Sequence, residues 1–329
     1  MVSTGVPRTL GRMTSARQSN GAIAPADVAA LLFLGAVWGG AFLFYRIVAP
    51  EVGPLWTAEV RVGIAAVALL AVVGRPALRA VRGRIGQFAF LGLTFSAIPF
   101  VLIGFATLTL PTGLAALLNA TTPLFTALVG AIWLGTRISP RVVAGIGVGL
   151  ASVLVLVGWS PLDPGPATFV AAAASLGSAF SYAIAGTFVR RHMADVRPIE
   201  LAAGQMTASA LILLPVALVS GPLPVPSPGA AVSLLTLGLA STAVAWPLFF
   251  RVLGRTTPTT ASTVTFIVPG FGILWGALFL GEAIGPGTAT GFALVLVSLV
   301  LVLGIRIPLS TTGRRLAILN PMRLLPSGR

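Results

Sequence analysis

Residues 111–135 read PTGLAALLNATTPLFTALVGAIWLG, and residues 257–281 read TPTTASTVTFIVPGFGILWGALFLG. As helices rising about 1.5 Å per residue, both are long enough to cross the ~30 Å hydrocarbon core of a bilayer. Superposed at a shift of 146 residues, they pair Ala115 with Ala261, Pro123 with Pro269, Leu128 with Leu274, Gly130 with Gly276 and Leu134-Gly135 with Leu280-Gly281. Apolar identities are common in such a composition. Glycines and prolines recurring at one offset are not. Outward from this pair, the same shift joins Leu91-Gly92-Leu93 to Leu237-Gly238-Leu239, Ile138 to Ile284, Gly145 to Gly291 and Gly158 to Gly304. Nearer the N-terminus the shift becomes 144, so that Trp38 meets Tyr182, Arg46 meets Arg190 and Pro54 meets Pro198. The sequence therefore reads as a duplicated unit, a signature that sets the frame for everything else.

The composition says what surrounds that unit. Of 329 residues, 56% are hydrophobic and only 9% are charged, with a mean hydropathy of +1.00. Soluble domains carry about 25% charged residues, so a soluble enzyme, a coiled coil and a disordered chain are excluded. There is no cysteine, which removes disulfides, thiolate catalysis, Cys-ligated zinc and iron–sulfur clusters. All 21 basic residues are arginines, which removes Schiff-base chemistry and the phosphate-binding lysine of nucleotide loops. No cofactor is expected.

Apolar runs of about 20 residues predict ten spans, at 27–48, 55–74, 86–107, 112–134, 141–159, 167–190, 199–219, 229–252, 258–281 and 285–306. Their continuity argues for helices and against a barrel, whose strands would alternate apolar and polar residues. With the N-terminus in the cytoplasm, 19 of the 21 arginines fall in cytoplasmic segments, leaving Arg46 at an outer helix end and Arg61 inside the second span. This is the positive-inside pattern. The charge is spread over alternate short loops and forms no basic patch, so a nucleic-acid partner is not expected. Five spans per copy is an odd number, so the second copy lies upside down relative to the first. The expected fold is an all-α membrane protein of ten transmembrane helices, arranged as two inverted five-helix repeats with N- and C-termini cytoplasmic. Residues 1–26 are a flexible cytoplasmic tail, 27–159 the first repeat, 160–166 an external linker, 167–306 the second repeat and 307–329 a basic cytoplasmic tail. Inverted repeats hold substrate near the midplane, between the halves.

Proline lacks an N–H, so inside a helix it frees the carbonyl four residues earlier. Pro123 frees that of Asn119 and Pro269 that of Thr265, at equivalent places in the two copies. Paired discontinuities at mid-span point to a binding site, with Pro123 and Pro269 as helix-break hinges. Asn119, Thr122 and Thr126 share a helical face, and Ser262 and Thr265 are three apart. The alternative is a kink healed by neighbouring Ser and Thr, lining nothing. Trp38 and Tyr182 sit mid-span, with Ser178 and Ser181 nearby; aromatics with a polar tip suit a metabolite cavity. Trp246 and Trp275 are cavity walls or bundle packing.

Arg61 and Glu59 are the charges well inside the first half's membrane zone, and intramembrane charges are costly and functional by default. Arg61 either neutralises a substrate carboxylate or snorkels to the cytoplasmic side. Glu59 either takes up a proton for coupling or sits in the outer headgroup zone. Gln205, the repeat partner of Arg61, is a further cavity candidate. Glu282, at an outer helix end, is structural or gating. The pairs Gly145/Gly149 and Gly272/Gly276 serve close packing or dimerisation, so the chain is expected to be a monomer or homodimer.

The order of these features resembles the drug/metabolite transporter superfamily, specifically its EamA-type members. Span one carries Trp38-Gly39-Gly40, similar to the family's Trp-Gly motif, and span two carries Arg61 in Glu59-Val60-Arg61. Span nine carries Pro258, Val268-Pro269 and Leu280-Gly281-Glu282, similar to the family's small-residue helix with a central Pro and a closing Leu-Gly-Glu. Span four repeats that pattern with Pro111, Pro123 and Leu134-Gly135 and departs from it at Thr136. The resemblance implies carrier-type transport of a small metabolite and leaves the substrate open; the expected function is a secondary transporter in the inner (plasma) membrane that exports a small-molecule substrate, an amino acid or related compound, by alternating access. Two other function classes stand beside it. An intramembrane enzyme acting on a lipid-linked substrate would need paired acids or a nucleophile–base pair at one depth. A passive channel would show flux that does not saturate.

Overall fold

The computed structural model describes residues 24–135, 137–159, 165–255 and 264–303. Residues 1–23 of the expected N-terminal tail, the expected C-terminal tail, most of the linker, Thr136 and Ser262 lie outside them, whereas Pro25 and Ala26, expected in the tail, open the first helix. The described residues contain helices and no strand. By length and composition, eight helical stretches suffice to cross a membrane: Pro25–Val73, Ile85–Thr109, Thr112–Leu134, Pro140–Gly158, Pro166–His192, Pro198–Val219, Pro228–Phe249 and Pro286–Leu303. Val264–Leu280 is a shorter apolar helix.

The helices, in chain order, are α1 (Pro25–Val73), α2 (Arg75–Gly83), α3 (Ile85–Gly92), α4 (Ile98–Thr109), α5 (Thr112–Asn119), α6 (Thr122–Leu134), α7 (Pro140–Gly158), α8 (Pro166–His192), α9 (Pro198–Val219), α10 (Pro228–Gly238), α11 (Ala245–Arg255), α12 (Val264–Leu280) and α13 (Pro286–Leu303). Prolines open many of them, because the first turn has no use for the missing N–H. Gly135 and Gly281 close α6 and α12 in the left-handed conformation (φ 66° and 65°), where glycine carries no Cβ penalty. π-Helical stretches, Leu93–Ala97 and Leu239–Val244, join α3 to α4 and α10 to α11. The π stretches, the left-handed glycines and the starts of α7 and α13 at Pro140 and Pro286 all recur at the 146-residue offset.

α1 is not one rod. A straight helix would hold residues 16 apart at about 24 Å, yet the Arg61 guanidinium donates to the Tyr45 hydroxyl at 3.2 Å. The fold-back occurs at Gly53, whose φ of 80° and ψ of 157° lie outside the helical region in a conformation that only glycine adopts at low cost. Thr57 Oγ1 donates to the Gly53 carbonyl at 2.7 Å and fastens the turn. The spans expected at 27–48 and 55–74 are thus the two arms of a hairpin.

Small residues set how closely the helices pack. A Cβ on Gly39 would lie 2.7 Å from the Val268 carbonyl and 2.9 Å from the Gly272 nitrogen, so the Trp-Gly motif brings α1 against the backbone of α12. Gly145 and Gly149 lie against α13, where Ser298 Oγ donates to the Gly145 carbonyl at 2.7 Å. Gly272 and Gly276 face Ala116 and Thr112 of α5. Both small-residue pairs therefore pack inside one chain. Large apolar side chains such as Ile132, Leu154 and Val219 remain exposed on the outside, as expected when lipid is the solvent. At one end, Arg84 grips Asp195 with both terminal nitrogens, Nη1 to Oδ1 at 2.9 Å. These bonds hold the Asp195 carboxyl below the usual carboxylate range.

Gly39→Ala is expected to cost about 1–3 kcal/mol, because backbone cannot yield to the new methyl as a side-chain tip can. It should lower the unfolding temperature of the purified protein. Gly147→Ala, whose Cβ meets nothing within 4 Å, should leave it unchanged or slightly raised.

Candidate functional site

A cavity of about 280 Å³ lies between the two halves of the sequence. The first half contributes Trp38, Phe42, Tyr45, Arg61, Phe95, Phe100, Asn119 and Thr122. The second half contributes Tyr182, Trp246, Phe249 and Thr265. Six of the residues singled out from the sequence, Trp38, Arg61, Asn119, Thr122, Tyr182 and Thr265, are brought together in this wall.

The break between α5 and α6 explains how Asn119 and Thr122 get there. The helix stops at Asn119 and restarts at Thr122, one residue before Pro123. The carbonyl that Pro123 leaves without an amide partner accepts from Thr122 Oγ1 at 2.7 Å, and the Leu118 carbonyl accepts from Thr121 Oγ1 at 2.7 Å. Two threonines thus heal the break, and Asn119, Ala120 and Thr122 at it still line the cavity. α12 runs through Pro269 without interruption. The two prolines sit at equivalent places in the sequence, and only the first accompanies an open break among the described residues.

Asn119 Nδ2 donates to Ser178 Oγ at 2.6 Å, Ser178 Oγ to the Ser175 carbonyl at 2.7 Å, and Ser175 Oγ to the Ala115 carbonyl at 3.0 Å. This chain ties α5 to α8. Trp38 Nε1 donates to the Ser241 carbonyl in the second π stretch at 3.1 Å. Ser181 Oγ donates to the Thr94 carbonyl in the first at 2.6 Å. Ser181 therefore acts behind the wall, stitching α8 to the turn that carries Phe95.

Arg61 is the charged residue of the cavity wall, and it is only 4% exposed. Its Nε donates to Thr242 Oγ1 at 2.9 Å, and its Nη1 to the Tyr45 hydroxyl. The guanidinium carbon lies 3.7 Å over the centre of the Phe100 ring. Thr242 Oγ1 in turn donates to the Leu237 carbonyl at 2.8 Å, so it meets Arg61 as an acceptor. Among the described residues, the ion pairs are Arg84–Asp195 and Arg197–Glu200. The Arg61 charge is held by neutral oxygens and a ring face, without a carboxylate. Such a desolvated cation favours an anion that enters the cavity.

Other candidates lie elsewhere. Gln205 is fully buried in α9 outside the cavity wall, with no hydrogen-bond partner for either amide atom among the described residues. Glu59 is also buried outside the wall, and its Oε2 has no partner among the described residues. Glu282 Oε1 accepts from the Thr112 amide at 2.8 Å and its hydroxyl at 2.9 Å, holding the start of α5. Trp275 Nε1 donates to the Ala36 carbonyl at 2.9 Å, which is packing. Trp246 is a wall residue. No group of three His, Cys, Asp or Glu residues able to hold a metal occurs among the described residues.

Sequence reasoning missed Tyr45, Phe42, Phe95, Phe100, Phe249 and Thr242. A signal existed for two of them. Phe42 and Tyr45 follow Trp38 at i+4 and i+7, on its helical face. Thr242 gave none, because its role depends on a π-helical turn that no local pattern announces.

The EamA-like transporter family matches the chain twice, at residues 27–158 and 169–304. The chain belongs to this family and is a multi-pass membrane transporter of small metabolites. It is similar to a probable terminal-alkyne amino-acid exporter of Streptantibioticus cattleyicolor, at 28% identity over 87% of this chain and 97% of that protein. It is also similar to a probable amino-acid metabolite efflux pump of Escherichia coli, at 27% identity over 84% of this chain and 94% of that one. A protein of known crystal structure shares the fold at a TM-score of 0.62 and 18% identity, covering 84% of this chain and 96% of its own.

Leaving a buried polar group unpaired costs about 1–3 kcal/mol. Gln205→Leu is therefore expected to raise the unfolding temperature of the purified protein. A fall of comparable size would mean that water bonds this amide.

Proposed function

We propose that this chain is a secondary carrier of the inner (plasma) membrane that exports a small organic metabolite bearing a carboxylate, an amino acid or related compound, by alternating access. In this reading it crosses the membrane ten times. The α1 hairpin supplies two crossings and α12 one, beside the other seven long stretches. The two five-helix halves are inverted, and both termini lie in the cytoplasm. Support comes from the π stretches, left-handed glycines and helix starts recurring at one offset, and from the double family match. The odd number of crossings per half and the distribution of arginines supply the orientation. The names of the relatives support an amino-acid-like cargo and the outward direction.

One observation carries the substrate's charge. Arg61 is a buried cation in the wall of the cavity between the halves, and neutral groups alone orient it. A carboxylate entering there gains charge-assisted hydrogen bonds and supplies the missing counterion. Trp38, Asn119, Thr122, Tyr182 and Thr265 surround the rest of the molecule. An enzymatic reading lacks support: among the described residues, Glu59 Oε2 has no partner, and no acid stands in the cavity wall. A channel reading would require flux that neither saturates nor counter-exchanges.

Reconstituted in liposomes, the protein is expected to exchange a labelled carboxylate metabolite across the membrane with saturating kinetics. A hydrogen bond to a charged group is worth about 1.5–3 kcal/mol, so Arg61→Gln should weaken binding roughly 10- to 150-fold, with Arg61→Lys intermediate. Saturable exchange that survives Arg61→Gln at full strength would overturn the role of Arg61. Flux proportional to concentration would overturn the carrier.

A further inference from the structure

The charge inventory of the cavity narrows the cargo. The whole chain has seven acidic residues, and none is among the residues that line the cavity. Glu51 holds the start of α10 through the Ser227 amide and hydroxyl, both at 2.8 Å. Glu282 holds the start of α5. Asp195 and Glu200 are paired with arginines. Asp27 stands in the first turn of α1, Glu59 is buried outside the wall, and Asp163 lies outside the described residues. Among the described residues the wall thus offers one cation and no anion.

Resting on the carrier reading above, we propose that the cargo is an organic monoanion with a bulky apolar body and an uncharged nitrogen, of the N-acyl amino acid type, in preference to a zwitterionic amino acid. Its carboxylate pairs with Arg61. A free ammonium would enter a desolvated site without a carboxylate, where a charge is costly unless paired. Aromatic faces can hold an ammonium, but most rings of this wall are already engaged. Trp38 packs on Trp246 at 5.5 Å and on Phe249 at 5.4 Å, Phe95 on Trp246 at 4.8 Å, and Phe100 carries Arg61. A neutral N–H has a better partner. Ser178 Oγ directs its proton to the Ser175 carbonyl, so it receives Asn119 Nδ2, and Asn119 Oδ1 is left as an acceptor in the cavity wall. The volume, about 280 Å³, is at the small end of ligand pockets (about 300–1,000 Å³). It suits one ring or branched chain with a short acyl group.

Three probes share one aromatic body and differ in charge and in the group that sets it: N-acetyl-L-phenylalanine (anion), L-phenylalanine (zwitterion) and L-phenylalanine amide (cation). Binding to the full chain in lipid nanodiscs is read by tryptophan fluorescence, since Trp38 and Trp246 stand in the wall, and by calorimetry. The anion is expected to bind at least tenfold more tightly than the zwitterion, and the cation not at all. Equal or tighter binding of the zwitterion, lost in Arg61→Gln, overturns this inference and leaves the carboxylate reading intact. Anion binding unchanged in Arg61→Gln, or no binding of any probe, overturns both.

Discussion

A backbone carbonyl in hydrocarbon has no water to turn to, so every interruption of a membrane helix must be repaired by another part of the protein. This chain interrupts its helices at the cavity, at the α5–α6 break and in the two π stretches. Each repair uses a side chain. Thr121 and Thr122 serve the break from within. Ser181 serves the first π stretch from the second half, and Trp38 serves the second from the first. Repair and assembly are therefore the same bonds. Interruptions that would weaken isolated helices fasten the halves around a hollow.

The charge of that hollow follows from the same economy. Thr242 donates to the Leu237 carbonyl five residues earlier, which is the reach of a π turn, and its oxygen is thereby turned to Arg61 as an acceptor. Tyr45 reaches Arg61 only because Gly53 folds α1 back on itself. A cation with two neutral acceptors and a ring face is oriented but not neutralised. In a site of low dielectric the attraction between such a cation and an anion is screened little.

Much of this was legible in the residues. The apolar runs, the 146-residue offset and the alternation of arginines needed only composition and spacing, because lipid imposes one length and one polarity on every span. Trp38, Arg61, Asn119, Thr122, Tyr182 and Thr265 announced themselves as polar or amphipathic groups at mid-span, where each is costly unless used. The same rule could not fix depth or facing. Ser181 lies behind the wall, and Gln205 and Glu59 are buried apart from it. A helical wheel drifts when helices bend, and π turns shift every later residue by part of a turn. Phe95, Thr242, Trp246 and Phe249 lie in or beyond such turns, and their facing is set by a register that local pattern does not carry.

The carboxylates outside the cavity have a common logic. Glu51, from the first half, accepts from the amide and hydroxyl of Ser227, the N-cap of α10 in the second. Glu282, from the second half, holds the first amide of α5 in the first. An acid at a helix N-terminus satisfies orphan N–H groups and complements the helix dipole. Here each does so across the division between the halves. Both belong to the end that the arginine pattern assigns to the outside. At the opposite end, Arg84 and Asp195 also join the halves, but as an exposed pair that salt screens. At the shift of 144 the equivalent of Glu51 is Asp195, the partner of Arg84, whereas at the shift of 146 the equivalent of Glu282 is Thr136, so the Glu282 contact has no acidic counterpart in the first half. The contacts that join the halves therefore differ in kind as well as place: an exposed ion pair at one end, and at the other an exposed carboxylate–Ser227 contact and the part-buried Glu282–Thr112 contact.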